Sequence, residues 1–302
     1  MKLVVFGTSA FAVPTLDAVA DRHDVLAVVT QPDRPAGRGH ALTPTPVKAA
    51  ALARGLDVRT PTKLRPFADE LRPLRPDAFV VVSYGRIVPQ NVLDLVPVAL
   101  NVHPSLLPLY RGATPLQAAI RDGRDRTGVT IIAMDAGMDT GDVLLQEPTP
   151  LGPDETYGEL HDRLALRGAR LAADALALLA VNALERRTQA EVAHAHGIGI
   201  EEIAATATRP LTKEDLMVDW THPPRRIVDL VRSLAPQPAA RALIDGETVK
   251  LLAARVARPD EPEGAPTNDE GTVHRGVVLL RVVPPNRAPM TGAAWRRSAV
   301  RR

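Results

Sequence analysis

The stretch from Val98 to Pro104 reads VALNVHP, and it is the part of the sequence that decides the fold class. Its apolar run predicts a buried strand, and Pro104 ends that strand because proline has no backbone N–H for a ladder. Successive side chains of a strand point to opposite faces, so Asn101 and His103 should share one face. Polar side chains at the carboxyl end of a strand lie where open α/β sheets bind their ligands. The stretch therefore predicts an α/β sheet and a functional site at its edge.

Four further continuous apolar runs have the same character, and helix-length segments lie between most of them. Runs without alternation predict strands that are covered on both faces, which is typical of parallel sheets. The prediction is an α/β domain with a doubly wound, mostly parallel, Rossmann-like sheet. The four runs are Leu3–Phe6, Val25–Val29, Ala78–Val82 and Val129–Ala133.

The turn after the first run is Gly7-Thr8-Ser9, and it leads into a predicted helix near Phe11. No G-x-G-x-x-G motif is present, and no acidic residue clearly stands where a ribose would be bound. A dinucleotide cofactor is therefore not expected. Gly7 either allows a tight turn or lets the backbone approach a substrate, and the sequence does not choose between the two.

The second half of the chain predicts a long helix and then a separate module. Thr156 and Glu159 form a capping-box pattern before apolar residues at helical spacing. We expect a catalytic domain at 1–187, a linker at 188–208 and a module at 209–302. In that module a predicted helix precedes strand-like runs separated by turn signals, which predicts a small β-barrel. The runs are Ala242–Ile244, Val249–Leu252 and Val277–Val283.

Composition limits the classes of function. The 302 residues suffice for one large or two moderate domains, and 45% of them are apolar. Without any cysteine the chain has neither a disulfide framework nor a catalytic thiolate. There is no signal-peptide pattern and no run of about 18 apolar residues, so a cytoplasmic protein without membrane contact is expected.

Charge is distributed unevenly along the chain. Residues 205–302 carry 16 Lys and Arg against 11 acidic residues, whereas residues 1–204 carry 21 against 24. The last thirty residues contain seven Arg and no acidic residue. A basic C-terminal module suits a polyanionic partner, although a solubilising, Arg-rich surface explains the same counts.

The segment Met134–Asp142, MDAGMDTGD, supplies a carboxylate that can join Asn101 and His103. An amide and an imidazolium can stabilise the oxyanion that forms when an amine attacks a one-carbon acyl group. A carboxylate beside the imidazole favours its charged form and can relay protons through a water molecule. Asn101, His103 and Asp139 therefore fit acyl transfer without a nucleophilic side chain. Taken singly, each also fits an ordinary structural role: a turn cap, a core histidine or a local hydrogen-bond acceptor.

Residues of this sequence can also be compared with the motifs of three other kinds of catalytic site. Asp139-Thr140-Gly141 is the D-T-G of aspartic proteases, but these need two carboxylates that share a proton, and the sequence has no second such motif. A serine hydrolase built on Ser105 and His103 lacks a G-x-S-x-G elbow. The eight histidines show no H-E-x-x-H spacing, so no metal site is expected.

The loop from Thr30 to Lys48 is far longer than the roughly two to six residues usual between a strand and a helix. It is rich in glycine and proline and carries Arg34, Arg38 and Lys48, which could lie against phosphates. A mobile surface lid explains the same composition.

Two longer segments carry a family resemblance. LNVHPSLLPLYRGATPLQAAI at 100–120 and TGVTIIAMDAGMDTGDVL at 127–144 resemble the folate-dependent formyltransferases. TQPDRPAGRG at 30–39, together with LTKEDLMVDW at 211–220, narrows the resemblance to the methionyl-tRNA formyltransferases within that family. The similarity covers roughly residues 1–255.

The resemblance implies transfer of the formyl group of 10-formyltetrahydrofolate to the α-amine of methionine on initiator tRNA. The chain is expected to be a monomer. It implies that Asn101, His103 and Asp139 are catalytic. It also implies that the long loop, with Arg38 as its key residue, enters the acceptor stem, and that an oligonucleotide-binding-like (OB-like) barrel follows the tRNA backbone. The folate would be bordered by Ser83, Tyr84, Gly85, Arg86, Ile87, Val88, Ser105, Leu106, Leu107 and Pro108, and the tRNA by Arg34, Arg38 and Lys48.

Two other functions stay open at this point. A formyltransferase with the same three groups can act on a sugar-nucleotide amine. A catalytically silent RNA-binding protein would bind RNA in a salt-sensitive way and transfer no formyl group.

Overall fold

A computed structural model describes residues 1–36 and 41–300 of the chain. The strands, in chain order, are β1 (Lys2–Gly7), β2 (Asp24–Val29), β3 (Arg34–Ala36), β4 (Ala41–Thr43), β5 (Val58–Arg59), β6 (Ala78–Val82), β7 (Ala99–His103), β8 (Arg126–Ala133), β9 (Val143–Pro150), β10 (Ala240–Ile244), β11 (Glu247–Val256), β12 (Thr272–His274), β13 (Val277–Val283) and β14 (Met290–Thr291). The α-helices are α1 (Val13–Ala20), α2 (Pro46–Ala53), α3 (Leu64–Leu71), α4 (Gln90–Leu93), α5 (Pro115–Arg121), α6 (Tyr157–Ala180), α7 (Gln189–His196), α8 (Ile200–Ala205), α9 (Pro224–Leu234) and α10 (Gly292–Val300).

Seven strands form the first sheet, in the order β5-β2-β1-β6-β7-β8-β9. All neighbours from β5 to β7 are parallel, and β8 runs antiparallel to β7. The central strand β6 is buried along its whole length, as expected for a strand covered on both faces. The five apolar runs of the sequence coincide with β1, β2, β6, β7 and β8, so the predicted doubly wound, mostly parallel sheet is confirmed.

A core cluster joins β1 and β6 to α3. The rings of Phe6 and Phe79 meet edge to face with centroids 5.1 Å apart, and Tyr84 packs against Phe6 at 5.5 Å. Phe67 and Leu71 of α3 belong to the same cluster. This packing fixes the ends of β1 and β6, from which the loops at the edge of the sheet begin.

The strand order reverses between β1 and β6, and ligands of open α/β sheets bind at such a switch point. Here the hydroxyl of Ser9 donates to that of Ser83 at 2.7 Å, and Thr8 Oγ1 donates to the carbonyl of Tyr84 at 2.8 Å. A Cβ atom on Gly7 would lie 2.9 Å from the Cβ of Ala12. The glycine is therefore required by the close approach of the following helical turn.

The described chain divides into two compact units. The first comprises Met1–Gly112, Thr127–Thr149 and His161–Ala207, and the second comprises Ala113–Arg126, Pro150–Leu160 and the chain from Thr208 onward. The segment 188–208, expected to be a linker, contains α7 and α8. The domain boundaries at 187 and 209 stay predictions. Within the described ranges no helix combines the length and the apolar character needed to cross a bilayer.

The second unit contains an antiparallel sheet in the order β10-β11-β13-β12, with β14 paired to β13. The apolar side chains Ile227 and Val231 of α9 share its core with Trp295 of α10. The predicted C-terminal β-module that follows a helix is confirmed as an antiparallel sheet, and its closure into a small OB-like barrel stays a prediction. Among the described residues, β10 is one edge strand of this sheet and β12 is the other. Arg241 of β10 also forms an isolated parallel β-bridge with Met217.

Three basic residues lie on adjacent strands of this second sheet, of which Lys250 and Arg281 are exposed and Arg241 is half-buried. Arg241 of β10 is paired with Lys250 of β11, and Lys250 is paired with Val283 of β13, two residues from Arg281. In the part of the chain that the structure describes, none of the three cations forms an ion pair with an acidic side chain. We call Arg241, Lys250 and Arg281 the basic stripe.

Candidate active site

Asn101 and His103 lie on β7, and alternation along the strand puts both side chains on one face. The carboxylate of Asp139 lies between them: Asn101 Nδ2 donates to its Oδ1 at 3.4 Å, and His103 Nδ1 lies 3.6 Å from its Oδ2. His103 is 4% exposed, and the side chain of Asp139 is 16% exposed. The amide, the imidazole and the carboxylate that the sequence singled out therefore meet in one place.

The backbone around His103 sets which ring nitrogen faces the carboxylate. Nε2 lies 2.9 Å from the carbonyl oxygen of Tyr110. A carbonyl can only accept, so Nε2 carries a proton and donates it. Nδ1 is then the ring nitrogen that is directed at Asp139, where a proton can be exchanged.

Asp139 belongs to the loop between β8 and β9 and is held there in an unusual backbone conformation. Its φ of +55° lies in the left-handed region, which costs a residue with a Cβ about 1–3 kcal/mol. The backbone N–H of Gly112 donates to Oδ2 at 2.9 Å. Gly112 itself has φ +104°, a conformation that glycine adopts readily because it has no Cβ. A glycine 27 residues earlier in the chain thus fixes the position of this carboxylate.

The segment Ser105–Pro108 is largely structural. The hydroxyl of Ser105 is fully buried and donates to the carbonyl of Leu109 at 2.7 Å, so it does not form the bond to His103 that a serine hydrolase needs. Leu107 belongs to a buried cluster with Ile132 and Val143. Leu106 is half-buried and Pro108 is buried, so Leu106 has the most accessible side chain within Ser105–Pro108.

The segment Ser83–Val88 leads into an open cleft of about 680 Å³. Ser83 and Gly85 have positive φ angles, which turn the chain away from β6. Tyr84 is buried in the core, whereas Ile87 is 72% exposed. The cleft is lined by Thr62, Lys63, Leu64, Arg65, Pro66, Arg86, Ile87, Val88, Pro89, Gln90 and Ala136.

The chemistry of this cleft fits a ligand with a flat apolar part and carboxylates. Leu64, Ile87 and Val88 supply apolar surface, and Lys63 and Arg65 supply positive charge. Ala136 comes from the loop that carries Asp139, so the cleft and the three polar groups share an element. A folate has these two chemical features, and the lining residues fit it.

The long loop forms a small hairpin of β3 and β4. Lys48 makes a 2.7 Å ion pair with Asp33, both side chains being 26% exposed, and Arg34 donates to Gln31. The amide of Gln31 in turn donates to the carbonyl of Tyr84 at 2.8 Å. Arg34 and Lys48 thus hold the base of the hairpin. Arg38 lies outside the described residues.

Sequence reasoning missed the residues that hold the site together. Tyr110, Arg111 and Gly112 lie in the quoted segment 100–120, but their roles depend on backbone groups, which side-chain motifs do not reveal. Gln189 in the predicted linker contacts the loop of Asp139. In the sequence, Gln189 follows the capping-box residue Thr188, and this position predicts only that a helix begins there. In the described residues no three His, Asp or Glu side chains are grouped as metal ligands.

Comparison with known proteins gives matches over both halves of the chain. The family described as Formyl transferase matches residues 1–176, and that described as Formyl transferase, C-terminal domain, matches residues 210–299. A methionyl-tRNA formyltransferase of Geotalea daltonii is 41% identical, over 92% of this chain and 86% of the relative. One of Anaeromyxobacter dehalogenans is 45% identical, over 92% of this chain and 88% of the relative.

Solved structures with the same fold are more distant in sequence. HypX from Aquifex aeolicus, in a multiply substituted variant, has a TM-score of 0.67 and 16% identity, over 99% of this chain and 47% of that chain. The sugar 3N-formyl transferase WlaRD has a TM-score of 0.64 and 15% identity, over 95% of this chain and 99% of that chain. At these identities the likeness concerns the fold alone.

Proposed function

The chain belongs to the methionyl-tRNA formyltransferases of the formyl transferase family, and from this premise we propose how its residues carry out the reaction. The proposed reaction moves the formyl group of 10-formyltetrahydrofolate to the α-amine of methionine on initiator tRNA, in the cytoplasm. The observation that carries the proposal is the convergence of Asn101, His103 and Asp139 at 3.4 and 3.6 Å.

Asn101 and His103 are proposed to stabilise negative charge on the formyl oxygen. When the amine attacks the formyl carbon, the carbonyl electrons move onto oxygen, and donors already aimed at that position lower the barrier. The amide of Asn101 can donate one hydrogen bond. A protonated imidazole at His103 supplies positive charge, and its Nδ1–H, which at 3.6 Å makes no direct hydrogen bond to Asp139, can donate the second.

Asp139 is proposed to accept and return the protons that are transferred in the reaction. The attacking amine must lose a proton, and the departing nitrogen of the donor must gain one. The carboxylate lies 3.6 Å from His103 Nδ1, a distance that substrate binding can shorten or that a water molecule can bridge. The N–H of Gly112 keeps the carboxylate oriented while its proton content changes.

The cleft beside Ser83–Val88 is proposed to hold the folate, which supplies the formyl group when it is bound. Leu64, Ile87 and Val88 would contact its ring system, and Lys63 and Arg65 its carboxylates. Of the residues predicted to border the folate, Arg86, Ile87 and Val88 line this cleft, and the contacts predicted for Ser83–Gly85 and Ser105–Pro108 stay predictions.

The tRNA is proposed to meet two basic surfaces. One is formed by Arg34 of the hairpin and Lys48 of α2, where a phosphate can replace Asp33 as the partner of Lys48, and Arg38 is proposed from the sequence to act with them. The other is the basic stripe within the proposed 209–302 module. The protein is proposed to work as a monomer, with residues 1–187 providing catalysis.

The test is a single-turnover transfer assay with the folate donor and three acceptors: charged initiator tRNA, charged elongator Met-tRNA and an amino sugar nucleotide. The expected result is rapid transfer to initiator Met-tRNA and slow transfer to the other two. Faster transfer to the sugar nucleotide would mean that the chain is a formyltransferase for sugar-nucleotide amines. RNA binding without transfer to any acceptor would indicate a silent RNA-binding protein.

A further inference from the structure

Gln189, the first residue of α7, is a buried polar residue that the proposed chemistry does not use. It is 5% exposed, and 50 residues separate it from Asp139 in the sequence. Despite that separation, its side chain contacts the backbone of the loop that carries Asp139.

The amide of Gln189 makes four hydrogen bonds in two directions. Nε2 donates to the carbonyl oxygens of Asp139 at 2.8 Å and of Gly141 at 2.9 Å. Oε1 accepts from Nε and Nη2 of Arg111 at 2.9 and 2.6 Å. A glutamine amide has two donor hydrogens and two acceptor lone pairs, so its capacity is fully used.

The partners of this amide allow only one orientation. Carbonyl oxygens accept and never donate, and a guanidinium donates and never accepts. Rotating the amide by half a turn would therefore break all four bonds. Arg111 thus directs the N–H groups of Gln189 at the loop.

The loop needs such a support because Asp139 is in the left-handed region, which is unfavourable for a residue with a Cβ. Two neighbouring residues hold it from two sides. Gly112 donates to the carboxylate, and Arg111 acts on the backbone of the same residue through Gln189. The position of the Asp139 loop is therefore set by groups on the segment that follows β7 and by a group on α7.

We propose that Gln189, oriented by Arg111, is a positioning residue that keeps the carboxylate of Asp139 against Asn101 and His103 during formyl transfer. The proposal rests on the role proposed above for Asp139. Since both polar atoms of the Gln189 side chain are engaged within the protein, its effect should fall on the chemical step and leave substrate binding unchanged.

The first experiment compares Gln189→Leu with the wild type under single turnover at saturating folate donor and Met-tRNA. The expected rate loss is about 10- to 100-fold, because a displacement of about 1 Å can cost a catalytic group that much. KM for both substrates should stay within about twofold, as expected when only the chemical step is weakened.

The second experiment repeats the substitution in an Asp139→Asn background. If Gln189 acts through Asp139, the double variant should be no more than about twofold slower than Asp139→Asn alone, since the two changes remove the same contribution. A general structural defect would lower the rate by a similar factor in both backgrounds.

Two further variants separate positioning from folding. Gln189→Glu keeps the acceptor for Arg111 but loses both donor hydrogens, so it should fold and lose rate as Gln189→Leu does, even if the leucine variant fails to fold. Thr188→Ala is the matched control, because it breaks the capping box of α7 and leaves the four bonds of Gln189 in place. It should lower Tm and keep the rate.

The outcomes distinguish this inference from the proposed function. If Asp139→Asn is slow while both Gln189 variants keep the wild-type rate, the positioning role is overturned and the proposed function stands. If Asp139→Asn keeps the wild-type rate, both are overturned. A rate loss in Thr188→Ala equal to that of Gln189→Leu would also overturn the positioning role.

Discussion

At the scale of single residues, Asn101 is the group whose removal isolates stabilisation of the oxyanion. Asn101→Ala removes one donor and keeps His103 and Asp139 in place, so kcat should fall by about 100- to 1,000-fold while KM changes little. Steady-state kinetics with both substrates varied measures this. Asn268→Ala, an exposed amide in the second unit, is the control. A loss expressed mainly in KM would assign Asn101 to binding instead.

The sequence predicted the side chains of the site better than it predicted their supports. Alternation along one strand was enough to place Asn101 and His103 together, because both lie within three residues of β7. The position of Asp139 depends on the N–H of Gly112 and on Gln189, which are distant in sequence. Such contacts arise from how the chain folds back, and no local spacing encodes them.

At the scale of elements, Arg232 of α9 ties three segments of the second unit together. It is 5% exposed, pairs with buried Asp229 at 2.7 Å, and donates to the carbonyls of Ile120, Gly152 and Glu155 at 3.2 Å. Arg232→Met leaves these carbonyls without that donor, while Asp229 keeps Arg225 as a partner at 2.9 Å, so the second unit should be destabilised by about 1–3 kcal/mol.

Urea unfolding followed by fluorescence measures this effect, with Arg226→Met as the matched control. Arg226 lies on the same helix, is exposed, and makes only a 3.4 Å bond to the carbonyl of Arg121 among those described. A similar loss of stability in both variants would mean that positive charge on α9, and not the buried contacts, is what matters.

A second prediction at this scale concerns acid stability. Arg255 donates to Glu261 at 2.6 Å, and this bond, with the N–H of Arg258, lowers the pKa of Glu261 from 4.5 to about 2. A carboxyl group whose pKa is lowered by folding stabilises the protein above its unfolded pKa. Its contribution should therefore be lost as pH falls from about 4.5 towards 2.

Glu261→Gln should remove that part of the pH dependence. The variant should unfold at lower urea than the wild type at pH 7, and the gap should close as the pH falls to about 2. Urea midpoints at a series of pH values test this. A gap that stayed constant across the series would show that the charge of Glu261 does not supply the stability.

The elements themselves were largely predictable, with limits that have a physical basis. Buried, unbroken apolar runs located the central strands because a parallel sheet is covered on both faces. The antiparallel direction of β8 was not predictable, because a buried strand has the same composition in either direction. Helices α7 and α8 have little apolar patterning and were expected to be a linker; α7 begins at the capping box of Thr188 and Glu191.

At the scale of the whole molecule, the nearly balanced net charge of +2 conceals the basic stripe. Each cation that contacts a tRNA phosphate releases bound counterions, so the logarithm of the tRNA association constant should fall steeply as the logarithm of the salt concentration rises. Arg281→Ala should reduce that slope by about one and weaken binding to all tRNAs alike. Filter binding at a series of KCl concentrations measures it.

The control for this prediction removes a cation that is already neutralised. Arg54 pairs with Asp17 and Asp21 at 2.7 and 2.8 Å, so Arg54→Ala should leave the salt slope unchanged. Equal slopes for both variants and the wild type would mean that the basic stripe does not contact the tRNA.

The central claim is that one amide, one imidazole and one carboxylate transfer the formyl group together. The measurement that tests it most directly is the single-turnover rate of Asp139→Asn, determined beside its Kd for initiator Met-tRNA. The account predicts a rate lower by about 100- to 10,000-fold, as expected for loss of a proton-transfer group, with Kd unchanged. An unchanged rate, or equal losses in rate and in affinity, would contradict it.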